Sequence, residues 1–570
     1  MNDNERSRSI LQGQQSKEKL NEGSAWMSIA SVVSRILGVL YIIPWMHWIG
    51  DPQVGTEANA LYGIGYNYYS IFLAIAIAGV PAAISKQMTN YMAKGQYQTS
   101  QRLFKSGTVM MLATGIVSAL ALYFLAPFLA QGKPARNVED VILVIRSLVP
   151  ALALIPLLSI LRGYFQAYLE MKPSAISQVT EQFARVIYML ATVYLIRVVM
   201  DGSVAKAVSH STFAAFIGAV LAIMTLAFYY FKNRDKYALP AGHVDSDYVA
   251  TRTLLFEIVR IAIPFVITGS IIEMVNLIDM NTFMPIMQRV SDLGEGQLIY
   301  EYGVFNANAR RVIQIIISFA TAISSTTVPV VTDAYTRELA KFQARSVYDD
   351  HLKPVFDHTC DVVLHSIHLF TLVMVPAAIG LAVLAAPVYQ LLYGINDPLG
   401  GFYLQISCLM AIPMGLFYVL VMTLQSMDQQ KKAIFGIVLG LGIKLLVQFP
   451  LLAVCGSEGA MYASILAFIF MCAFYLACIY KRIQFSFSDL AGRIWPALKV
   501  ILIMGLMSEI TYQILHWIIP EPNKLGAFVM VILVALVGIW VYLIGLIKSR
   551  QLEIILGQDK SQKLRQFLHL

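Results

Sequence analysis

Five basic residues fall inside stretches that are otherwise apolar enough to cross a membrane: Arg35, Arg185, Arg310, Arg311 and Lys444. A cation at mid-membrane costs about 2.5–3.5 kcal/mol on insertion scales. Several of them along one chain point to a shared task, and the simplest is to hold something anionic inside the bilayer. Arg185 and Lys444 lie too deep in their stretches to snorkel outward, so they indicate a polar interior rather than a lipid-facing surface. An arginine grips phosphate oxygens with paired N–H donors, whereas a lysine acts as a point charge. Arginines gathered in a water-filled vestibule suit a pyrophosphate or a phosphorylated headgroup.

Acids occupy the same stretches. Glu181 precedes Arg185 by one helical turn and can pair with it. Glu273, Asn276 and Asp279 are three residues apart and share roughly one helix face. A carboxylate there can bind H+ or Na+ as a coupling ion, or serve as counter-ion to an arginine; both readings stand. His358, His365 and His368 can gather on one face, but no carboxylate pattern accompanies them and no metal is expected. With no P-loop, no glycine-rich dinucleotide turn and no nucleophile elbow, the chain carries no ATPase motif, and no cofactor is expected.

The elements that must position these groups are membrane helices. The chain is 13% charged with a mean hydropathy of +0.65, against about 25% charge in a soluble domain. That leaves too few charges to solvate a surface, so most of the outside must meet lipid. The net charge of +8 lies in loops between apolar runs and reads as topology, not as a nucleic-acid surface. The five cysteines form no CxxC pair and read as core thiols. Apolar runs of about 20 residues each predict about fourteen spans. Their limits are 24–48, 66–93, 107–130, 138–161, 174–199, 205–231, 254–284, 305–331, 359–392, 402–426, 432–454, 459–480, 494–519 and 525–547. Only helices or closed barrels satisfy the backbone in lipid, and these runs are too long for barrel strands. The fold class is therefore an all-α polytopic bundle.

Of the 42 Lys and Arg, the segments assigned outside, with the span edges beside them, hold only Lys133, Arg136, Arg197, Lys206, Arg289 and Lys524. By the positive-inside rule both termini lie in the cytoplasm. The polar tail 1–23 lacks a signal-peptide cleavage site, so the first apolar run stays as a span. Val80-Pro81 is echoed by Val328-Pro329, and Ile155-Pro156 by Ile412-Pro413, in each case about 250 residues on. An even number of spans per copy gives both copies one orientation. The layout expected is an N-lobe over 24–231, a cytoplasmic linker over 232–253 and a C-lobe over 254–480. Two further spans over 494–547 and a cytoplasmic tail over 548–570 follow. The segment 332–358 reads as an amphipathic surface helix or a solvated connector. Gly79, Pro81, Pro264 and Gly269 mark points where a helix can bend.

The run Leu161-Arg162-Gly163-Tyr164-Phe165-Gln166, with Pro173-Ser174-Ala175-Ile176-Ser177-Gln178, Glu181-Gln182 and Arg185-Val186, is distinctive. It resembles the polysaccharide-biosynthesis branch of the MOP exporter superfamily. Within that branch it is similar to the stage V sporulation protein B group, related to the MurJ-type lipid II flippases. Ser34-Arg35-Ile36-Leu37-Gly38 resembles the start of those proteins. The resemblance implies two pseudo-symmetric six-helix lobes around a central cavity, plus two C-terminal helices bordering a groove for a lipid tail. It implies movement of an undecaprenyl-diphosphate-linked cell-wall precursor from the inner to the outer leaflet of the bacterial plasma membrane. Arg35 and Arg310 match cavity arginines of the family, and Arg162 joins the candidate cations. A second first-span arginine, expected near Tyr41, is missing, and Lys444 and Arg185 stand as substitutes.

The leading expectation is thus a flippase for lipid II, not an enzyme, with a lipid-linked anionic glycan and membrane lipid as partners. Capsule or exopolysaccharide repeat units are the alternative cargo. A cation-coupled drug exporter would need an acid-dominated cavity. A membrane glycosyltransferase would need catalytic acids, and Asp292, Glu295 and Glu301 are expected in a short outer loop without a partner motif.

Overall fold

The computed structural model describes residues 26, 30, 33–34, 37–38, 40–77, 84, 87–88, 91–92, 95–168, 170–237, 267–346, 356–394, 397–520, 522–549 and 551–552. Arg35, Gly79, Pro81 and Pro264 lie outside them, as does most of the expected linker. Every regular element among the described residues is helical. Eleven helical segments there are long and apolar enough to cross a membrane. Side chains such as Leu502, Leu506, Trp517, Leu525 and Trp540 are more than half exposed. So much bare apolar surface is tolerable only against lipid.

The chain forms two compact units, Met1–Met280 and Asn281–Leu570. The first contains α1 (Ile42–Ile49), α2 (Pro52–Ile77), α3 (Tyr97–Leu129), α4 (Val138–Ser147), α5 (Val149–Ala167), α6 (Met171–Val193) and α7 (Val204–Lys232). A π-helical turn, Tyr194–Val199, continues α6. In that turn Arg197 donates to Ile49 O at 2.8 Å, satisfying a carbonyl at the end of α1, and to Gly202 O at 2.5 Å, just before α7. Trp45 Nε1 donates to Ser211 Oγ at 2.9 Å and ties α1 to α7.

Helix α8 (Ile271–Val290) carries the chain from the first unit into the second. There follow α9 (Glu295–Tyr302), a π-helical turn Gly303–Ala309, α10 (Arg310–Ser346), α11 (Asp357–Val383), α12 (Ala385–Tyr393) and α13 (Pro398–Ser426). The unit ends with α14 (Gln430–Cys455), α15 (Glu458–Ile483), α16 (Phe487–Ile518) and α17 (Lys524–Lys548). Glu338, on α10, accepts from the backbone N–H groups of His358 and Thr359 at 2.9 and 3.1 Å. It thereby caps the start of α11 with a negative charge.

Four expectations from the sequence need correction. The second span begins at Pro52, not near Tyr66. Its first turns contain Thr56 and Asn59, which read as loop residues, yet both are buried in the unit and Thr56 bonds back to Pro52 O at 2.9 Å. The expected surface helix after 332 is, up to Ser346, a continuation of α10. At 37 residues α10 is about 55 Å long and outreaches a hydrocarbon core of about 30 Å. The ninth run breaks at Leu384, between α11 and α12, because Pro387 has no N–H to return to Val383 O. Glu295 and Glu301 lie in α9, not in a loop; Glu301 is buried and accepts from the Ser457 hydroxyl.

Candidate functional site

In the first unit, three helices bring the expected charged residues together. Tyr62, Tyr66 and Tyr69 follow one another at helical spacing along α2, and Ser177, Glu181 and Arg185 do the same along α6. Phe183 and Ile187 are exposed on α6 and mark its lipid side; Arg185 lies two residues from each and points the other way. Its Nη2 donates to Tyr62 Oη at 2.8 Å, and its guanidinium lies 5.0 Å from the Tyr66 ring centroid. Tyr62 and Tyr66 stack at 5.3 Å and 7°, and Tyr69 tilts against Tyr66 at 5.2 Å. The arginine is thus held over an aromatic ledge by cation–π attraction and hydrogen bonding.

Glu181 does not pair with Arg185. Its Oε2 takes Arg162 Nη2 of α5 at 2.7 Å, while Arg162 Nε donates to Ser177 Oγ at 2.9 Å. Ser174 Oγ returns a bond to Arg162 O at 3.1 Å. The helix repeat predicted a neighbour within α6, but the fork of Arg162 reaches two acceptors on α6 at once, which is the better geometry. Arg185 is thus held by the tyrosines of α2, not by Glu181. Gly218 of α7 makes the arrangement possible. A Cβ there would stand 2.8 Å from Glu181 O, 3.2 Å from Glu181 Cγ and 3.4 Å from Arg185 Cβ. Close approach of α7 through a residue without a side chain seats the ion pair and the ledge.

Further along, Glu273, Asn276 and Asp279 occupy α8 as expected, with Asn276 and Asp279 buried and Glu273 half-buried. Asn276 Nδ2 donates to Asn67 Oδ1 at 3.4 Å. In the second unit, Arg310 is buried and Arg311 half-buried at the start of α10, directly after the π-helical turn, whose seven residues are all buried. Lys444 was expected to line a water-filled cavity. It has no exposed surface, and its ammonium donates to Gln448 Oε1, Ala460 O and Ser464 Oγ within α14 and α15.

The second unit also holds an apolar cavity of about 510 Å³ between α11, α16 and α17. Leu372, Pro376, Gly380, Met504, Val534 and Leu543 are among its lining residues. Two polar groups border it. Tyr542 Oη is turned onto Leu372 O, and Ser508 Oγ lies beside Gly538. Such a slot offers hydrocarbon contact and almost no hydrogen bonding, as a lipid chain requires. The tyrosine ledge was missed from the sequence, although the 62, 66, 69 spacing of aromatic residues was there to be read.

The family pattern described as polysaccharide biosynthesis protein matches residues 20–334. The chain is 31% identical over 551 residues to the lipid II flippase MurJ of Bacillus subtilis (strain 168), covering 95% of this chain and 97% of that one. It is also 31% identical over 177 residues to stage V sporulation protein B of the same organism, covering 30% and 32%. Among solved structures it superposes on lipid II flippase MurJ in an inward closed conformation with a TM-score of 0.61 at 15% identity, covering 92% of this chain and 99% of that one. It superposes on an inward-facing multidrug resistance MATE family transporter of the MOP superfamily with a TM-score of 0.57 at 15% identity, covering 80% and 96%. At these identities the two structures speak for a shared fold.

Proposed function

Because the chain belongs to the polysaccharide biosynthesis protein family, we propose that it is a flippase that carries lipid II from the inner to the outer leaflet of the bacterial plasma membrane. The observation that carries the reading is the 31% identity, over nearly the whole of both chains, to a protein that bears that function in its name. The chemistry of each unit supports it. Lipid II joins a diphosphate and a glycan to a long isoprenoid chain. Arg185 presents a flat guanidinium for phosphate oxygens, and the Tyr62–Tyr66 ledge offers ring faces on which sugars pack. Arg35, Arg310 and Arg311 supply further positive charge. The cavity between α11, α16 and α17 suits the apolar tail.

Transport proceeds by alternating access, with the headgroup carried through the protein while the tail stays in apolar surroundings. On this reading both termini lie in the cytoplasm by the positive-inside rule, with lobes over 24–231 and 254–480. Without a nucleotide motif in the sequence, the membrane potential or an ion gradient drives the cycle. Glu273 and Asp279 act as counter-ions to cavity arginines or as acceptors of a proton. The test is transport by the purified protein in vesicles, with lipid II offered against a lipid-linked capsule repeat unit. Preferential movement of lipid II is expected; movement of the capsule lipid alone would replace the proposed cargo.

A further inference from the structure

Lys444 stands midway along α14, on the stripe formed by residues 436, 440, 444 and 448. Gly436 and Gly440 let α15 come unusually close along that stripe. A Cβ at either would lie 2.3 Å from Tyr475 or Met471. The lysine is fully buried there. Its Nζ is 3.0 Å from Gln448 Oε1, 3.2 Å from Ala460 O and 2.8 Å from Ser464 Oγ.

The direction of each bond is set by a second one. Gln448 Nε2 donates to Thr282 Oγ1 at 3.2 Å, which turns the amide oxygen toward the amine. The Ser464 hydroxyl donates to Ala460 O at 3.0 Å, so its oxygen accepts from Lys444. A carbonyl oxygen can only accept. Three acceptors need three N–H groups, and only the ammonium form has three. Lys444 is therefore a positive charge whose contacts include an amide oxygen, a main-chain carbonyl and a hydroxyl.

That ligand set is the one a hard monovalent cation takes up when it leaves water for a membrane protein. We propose that Lys444 fills a cation cage with its own ammonium, so that the protein works without binding Na+ or another soluble cation at this place. The charge that a transporter can borrow from solution is here tethered by a side chain. The cation supports the packing of α14 on α15 permanently and is not exchanged during a cycle. The inference concerns energy coupling and does not depend on which lipid is carried.

The test is thermal unfolding of the purified full-length protein in NaCl, KCl, methylammonium chloride and choline chloride at one ionic strength. The wild-type midpoint is expected to be the same in all four. Lys444→Ala removes the ammonium and leaves the oxygens. Its midpoint is expected to fall in choline and to recover, saturably, in Na+ or methylammonium, because a ligand that binds only the folded state raises the midpoint with concentration. Selective stabilisation of the wild type by Na+ would overturn the proposal, as would an equal loss for Lys444→Ala in every salt. Ser464→Ala keeps the ammonium and removes one oxygen, so the idea can still fail if Lys444→Ala does not fold. It is expected to lose the same amount in all four salts, and a recovery specific to Na+ would contradict the cage.

Discussion

Gly218 is the residue on which the geometry of the first unit's charged cluster depends, and its replacement by alanine is a sharp test. The new methyl carbon would lie 2.8 Å from the main-chain oxygen of Glu181. Ordinary carbon–oxygen contact needs about 3.3 Å or more, so α6 and α7 must separate by roughly half an ångström. The contact is with backbone, which cannot rotate aside. Overpacking of this kind costs about 1–3 kcal/mol. At about 2–4 °C per kcal/mol for a unit of this size, the unfolding midpoint falls by about 2–12 °C. The displacement also moves Glu181 and Arg185, so lipid II transport by the folded variant should drop. Gly442→Ala is the control, since a Cβ there meets nothing within 4 Å. It should be neutral or stabilising by up to about 1 kcal/mol, as for glycine to alanine in a helix. The assay is the unfolding midpoint and vesicle transport of the two variants side by side. If Gly218→Ala were as stable and as active as Gly442→Ala, the argument that close approach of α7 seats the cluster would be refuted.

Other outcomes follow from the same geometry. Arg162→Met should cost about 1–3 kcal/mol, less than the 3–5 of a fully buried pair because both side chains keep 22% of their exposure. The Arg162→Met, Glu181→Met double variant should recover part of it in a double-mutant cycle of unfolding midpoints. Tyr62→Phe removes one hydrogen bond to Arg185 and should cost about 0.5–1.5 kcal/mol while weakening binding of a diphosphate lipid measurably. Gly380→Leu should be tolerated in the fold, because a Cβ at Gly380 meets nothing within 4 Å. The added side chain occupies the apolar cavity, so lipid II transport should fall with the unfolding midpoint unchanged.

Much of the architecture was legible because membrane helices announce themselves by length and hydropathy alone. The runs read as 432–454, 459–480 and 525–547 end within a few residues of α14, α15 and α17. The start of α2 was not legible, since Thr56 and Asn59 are polar residues satisfied inside a bundle and look the same as loop residues in sequence. The site shows the same division. That Arg162, Glu181 and Arg185 carry the charge of the first unit could be seen from their types and positions. Which of them pair could not, because Arg162 comes from another helix and the partner at helical spacing lost to it. Lys444 was identified as a buried cation, but the oxygens that surround it include two from α15, a distance in sequence that no local pattern spans. The π-helical turn before Arg310 left no sign in the hydropathy.

The central claim is that this chain moves lipid II and that its cationic residues take part. The most direct measurement is the amount of lipid II accessible at the outer leaflet of cells depleted of the protein, complemented by wild-type, Arg185→Ala or Arg310→Ala copies made to equal levels. Outer-leaflet lipid II should fall on depletion and return with the wild-type copy alone. Unchanged lipid II on depletion, or full recovery with both arginine variants, would contradict the account.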